Sequence, residues 1–85
     1  MVKTMREDER IKKDITMFEE NIGKINKEIL TKKQKEITEL AELYYKDAQY
    51  YLKKKDYFTS FGCINYAHGL LDAIIKNTDK ETISK

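Results

Sequence analysis

Proline and tryptophan are absent from this chain, cysteine occurs once and glycine three times. Without proline no helix has to kink or stop on that account. So few turn formers, beside 38% charged and 40% hydrophobic residues, fit helices joined by short loops rather than a sheet. The lone Cys63 can close no disulfide within the chain and build no thiolate cluster for zinc, which points to a reducing, cytoplasmic setting. No apolar run approaches the roughly 20 residues that cross a bilayer, and Met1 to Arg10 are charged rather than apolar, so no membrane association is expected. A strong charge of one sign is also missing. A net charge of +2 does not advertise nucleic-acid binding by itself. The lysines gather as Lys24, Lys27, Lys32, Lys33 and Lys35, and again as Lys53, Lys54 and Lys55. These groups sit about 30 Å apart at opposite ends of one predicted helix. The 85 residues leave room for one small domain with one core.

What is present is helical periodicity. Ile11, Ile15, Phe18, Ile22, Ile25 and Ile29 recur in alternating steps of four and three, placing all six on one stripe and predicting a first helix over about 7–29. Gly23 weakens that helix near Asn21. Thr31 and Gln34 have the spacing of a capping box and start a second helix near Lys32, over about 32–54. Its predicted core face carries Ile37, Leu40, Ala41, Tyr44, Tyr45, Ala48, Tyr51 and Leu52. Leu43 and Tyr50 fall outside that face on one stripe, with Asp47 close by. Asp56 suits the cap of a third helix over about 57–76, and the short turn makes the second and third helices antiparallel neighbours. The third is apolar over most of its circumference, from Phe61 and Ile64 to Tyr66, Leu70 and Ile75, and should be the most buried. The tail from Asn77 to Lys85 is polar and expected to fray. The fold class is therefore all-α, a three-helix bundle with the first helix packed on a hairpin of the other two.

Two glycines, Gly62 and Gly69, lie within the third helix at a spacing of seven. Each costs about 1 kcal/mol relative to alanine, so a close approach of another helix backbone is expected there. Asn65, His68 and Asp72 share a sector of the same helix, a candidate polar site in which Asp72 bonds His68 or a tyrosine. No serine or cysteine nucleophile falls on that sector.

The hairpin resembles a single tetratricopeptide unit in the spacing of Tyr44, Ala48 and Tyr51, then Ser60, Ile64 and Ala67, although Asp47 stands where leucine is usual and Asp72 where proline usually closes the unit. No second copy is present, so a solenoid is excluded. The order Ala41, Tyr44, Asp47, Ala48, Lys55-Asp56-Tyr57, then Asn65-Tyr66-Ala67-His68-Gly69-Leu70-Leu71-Asp72-Ala73, is similar to an archaeal family of short helical proteins classed as a domain of unknown function. Lys55 stands where that family often has glycine, and Leu70 where it often has tryptophan. The resemblance implies a three-helix bundle and brings no activity with it.

No enzyme is expected. The superfamily of small helical ribonucleases that sets an arginine four to six residues ahead of a histidine finds no counterpart, since Phe61, Gly62 and Cys63 occupy those positions before His68. Phosphate loops, paired cysteines and a helical HExxH are also missing, and no cofactor or metal is called for. Two readings remain. One is a protein-interaction or oligomerisation module, with Leu43, Asp47 and Tyr50 contacting a protein partner or a second copy in a homodimer, unless the first helix covers Leu43. The other is a weak RNA- or DNA-binding protein using lysine-rich helix ends and exposed tyrosines.

Overall fold

The computed structural model describes residues 6–83, with side chains as far as Lys76. Three helices form: α1 (Glu7–Ile22), α2 (Lys32–Lys53) and α3 (Tyr57–Ile83), with one 3-10 turn at Lys27–Ile29 between the first two. α2 and α3 make the principal contact, and α1 packs across them, mainly on α3. This is the all-α three-helix bundle that the periodicity predicts.

The ends of the helices follow from local chemistry. Glu7, Asp8 and Glu9 occupy the first turn of α1, where carboxylates complement the positive end of the helix dipole. Thr31 and Gln34 form the expected reciprocal capping box: the Gln34 N–H donates to the Thr31 hydroxyl at 3.1 Å, and the Thr31 N–H donates to the Gln34 side-chain oxygen at 2.9 Å. α2 ends in a Schellman motif. The Asp56 N–H reaches the Tyr51 carbonyl at 2.9 Å and the Lys55 N–H reaches the Leu52 carbonyl at 3.0 Å. This closure puts Lys55 in the left-handed region at φ 65°. Asp56 then caps α3 by accepting from the Thr59 N–H at 3.2 Å.

Two expected boundaries are corrected. The first helix stops at Ile22 instead of running to residue 29. Gly23 supplies little helix propensity, and the Asn26 side chain accepts from the Glu28 N–H at 3.0 Å, nucleating a separate turn. Ile29 is thereby swung off the stripe to 61% exposure, and Leu30 takes the buried position. At the other end α3 runs past Lys76 to Ile83, since no glycine or proline follows Gly69 to stop it. Of the tail expected to fray, Ser84 and Lys85 lie outside the described residues.

The core consists of Ile11, Ile15 and Phe18 from α1, Ala41 and Ala48 from α2, and Ile64, Ala67, Leu71 and Ile74 from α3, with Leu30 at one end. Leu40, Phe61 and Tyr66, expected inside, are exposed, and Thr38, Gln34 and Ser60 are buried instead. These polar groups are hydrogen-bonded: the Thr38 hydroxyl donates to the Gln34 carbonyl one turn back at 2.9 Å, and Ser60 Oγ donates across the hairpin to the Ala48 carbonyl at 2.6 Å. The close approach of α2 and α3 therefore rests on Ala48 and Ser60. Gly62 and Gly69 are exposed, and a Cβ built on either would meet nothing within 4 Å. The expected glycine contact does not form among the described residues.

Candidate interaction surfaces

The outer side of α2 keeps the stripe that the sequence singles out. Leu43 is 55% exposed and Tyr50 54% exposed, so α1 does not cover Leu43. The Lys54 ammonium lies 5.5 Å from the centre of the Tyr50 ring, and the Tyr51 ring meets Tyr50 edge-on at 5.1 Å. Asp47 is half-buried. Its charge reaches the Cys63 thiol, whose pKa is raised first by burial and then by the Asp47 and Asp56 carboxylates. Tyr44 and Tyr66 join α2 to α3 edge-to-face at 4.6 Å, leaving Tyr66 and Leu40 exposed.

Asn65, His68 and Asp72 do not assemble into a site. His68 is half-buried and turned toward α1, where its Nε2 lies 2.8 Å from the Asp14 carbonyl. A carbonyl only accepts, so Nε2 carries the proton. Asn65 and Asp72 are exposed, and among the described residues the Asp72 side chain takes no part in a hydrogen bond. The expected Asp72 bond to His68 or a tyrosine gives way to the His68 bond to the main chain of α1. The fully buried Phe18 ring fills the space between Tyr45 and His68, stacked on Tyr45 at 4.9 Å and edge-on to His68 at 5.8 Å. The Tyr45 hydroxyl donates to Glu19 at 2.5 Å. That bond, reinforced by partial burial and the Glu19 charge, pushes the Tyr45 phenol above its usual pKa.

A further surface, not singled out by the sequence, lies where the first turns of α1 and α3 meet. Glu7, Arg10 and Ile11 of α1 and Tyr57, Phe58 and Phe61 of α3 line an open concavity of about 150 Å³. Phe58, at its edge, is 90% exposed. The available signal is that Phe58 falls off the α3 stripe of Ser60, Ile64, Ala67 and Leu71. A second cavity, about 350 Å³ and lined in part by Ile25, Ile29, Leu30 and Ile75, opens where α1 stops short.

The lysine-rich ends carry little internal pairing. Lys27 binds Glu42 at 2.9 Å, and the other ion pair among the described residues joins Arg6 to Asp8 at 3.2 Å. Among the described residues no group of three or more His, Cys, Asp or Glu side chains could hold a metal ion, and no helix is long and apolar enough to cross a membrane. No curated protein matches the chain. A family model does match, over residues 13–78, spanning all of α2 and most of α1 and α3. By that match the chain belongs to the family described as Protein of unknown function (DUF357).

Proposed function

We propose that this chain is a non-enzymatic helical interaction module of a reducing, cytoplasmic compartment, which uses the outer side of α2 to engage a protein partner or a second copy of itself. The observation that carries this reading is that Leu43 and Tyr50 share one stripe and stay more than half exposed among the described residues. A domain this small buries a limited fraction of its surface, so apolar burial between chains adds stability that its own core lacks. The absence of an enzyme role is supported by His68, the only histidine, which spends Nε2 on a main-chain carbonyl beside a filled space. Static light scattering on the parent and on Leu43→Glu tests self-association here. A dimer that the substitution dissociates supports it; a monomeric parent, or a variant that stays dimeric, removes α2 as the self-association surface.

Weak binding of RNA or DNA is the second reading, favoured by the Lys54 ammonium over the exposed Tyr50 ring beside Lys53 and Lys55. Its signature is binding to mixed RNA that weakens steeply as salt rises. Salt-independent binding, or none, counts against it.

A further inference from the structure

Among the described residues Phe58 is the most exposed of the large apolar side chains, although it stands in the first turn of a well-capped helix beside a concavity rather than on an open loop. Leaving a phenyl ring in water forgoes the favourable burial of its apolar surface. Phe58 itself lines this concavity of about 150 Å³, together with Ile11, Tyr57 and Phe61. A volume of about 150 Å³ is that of a benzene-sized ring, here in a hollow open to solvent. Its rim carries one anion and one cation, Glu7 and Arg10. Both are exposed, and neither is ion-paired with any described residue.

We infer that the junction of the first turns of α1 and α3 is a self-association surface, on which a second copy of this chain docks by inserting its Phe58 into the concavity. The second copy is the partner that this surface describes. An isologous contact sets each patch against itself, so an aromatic knob and a ring-sized hollow on the same patch satisfy each other twice. The rim has the matching property: under a two-fold axis the Glu7 of one copy can face the Arg10 of the other, and the reverse. A partner of strong single-sign charge would leave one of these groups opposed by a like charge. The rim pairs are solvent-accessible, so they set orientation while the ring supplies most of the affinity.

This inference rests on reading the chain as an interaction module but not on the α2 surface, and the two are separable. Sedimentation equilibrium or light scattering over a concentration series is measured for the parent, Phe58→Ser, Glu7→Arg, Arg10→Glu and Leu43→Glu. The expected result is a parent dimer that Phe58→Ser weakens by more than about tenfold, as loss of a central aromatic does, and that Leu43→Glu leaves intact, which takes self-association away from α2 and leaves that surface to a different protein partner. Glu7→Arg and Arg10→Glu each weaken it alone, and mixing the two variants restores a dimer, since each then offers the charge the other lacks. A dimer lost in Leu43→Glu and kept in Phe58→Ser overturns the inference while leaving the interaction module standing on α2. A parent that stays monomeric overturns it as well, and a lower melting temperature of monomeric Phe58→Ser would then mean the ring is already covered within its own chain.

Discussion

At the scale of single residues, backbone conformation and open space decide more than side-chain identity. Gly62 and Gly69 invite an explanation by close packing because each weakens a helix interior, yet both face open space. The residues that bring α2 against α3 are Ala48 and Ser60, where a hydroxyl donated to a main-chain carbonyl takes the place of a side-chain contact. Lys55 presents the converse case: it adopts φ 65° in the Schellman closure, a conformation that glycine enters without the steric cost a Cβ brings. Gly62→Ala and Gly69→Ala should each raise stability by about 0.5–1 kcal/mol, and Lys55→Gly should raise it by about 1 kcal/mol. Urea denaturation measures all three. A loss of stability in either alanine variant would mean that the space beyond the helix is occupied in solution, and a loss in Lys55→Gly would mean that the lysine makes a contact worth more than its strain.

At the scale of elements, α1 is held by its buried Ile11, Ile15 and Phe18, by the aromatic cluster around Phe18 and, among the described residues, by two polar bonds to the hairpin. Phe18 stands between Tyr45 and His68, the Tyr45 hydroxyl donates to Glu19, and His68 donates to the Asp14 carbonyl. The periodic stripe of α1 announces which face docks, and Ile11, Ile15 and Phe18 are buried as it requires. Periodicity says nothing about where such a stripe ends. Ile29 keeps the spacing but loses the helix, because Gly23 and the Asn26 cap act on the backbone and not on the pattern. The Tyr45 phenol gives α1 docking a pH dependence whose sign is fixed. Its pKa in the folded state lies above the usual value near 10. The protonated phenol therefore favours the folded state, with its full contribution present below about pH 10 and lost as pH rises through the raised value. Melting temperatures of the parent and of Tyr45→Phe should differ below about pH 10 and converge as pH rises through the raised value. Parallel profiles across that range would show that the bond to Glu19 adds nothing to docking.

At the scale of the whole molecule, the sequence makes the architecture legible because two amphipathic segments, a largely apolar third, a capping box and an aspartate cap all agree on one arrangement. The candidate surfaces were less legible. Leu43 and Tyr50 could be placed outside the core face of α2 by counting along one helix. Whether Leu40, Tyr66 and Phe58 are covered depends instead on how far α1 reaches across the hairpin, which no single-helix pattern encodes. That reach also governs the dynamics. α2 and α3 share a much larger contact than α1 makes with either, so the molecule divides into a firm hairpin and a more lightly held first helix. Locally lower contact density lets such an element open without global unfolding. Amides of α1 near Ile15 and Phe18 should thus exchange with solvent through an opening about 1–2 kcal/mol less costly than that of α3 near Ile64, Ala67 and Leu71, a factor of about 5 to 30 in protection. Hydrogen exchange read by mass spectrometry, at a concentration low enough to keep the chain monomeric, measures both sets together. Equal protection in α1 and α3 would mean that the Phe18 cluster binds all three helices into one cooperative unit.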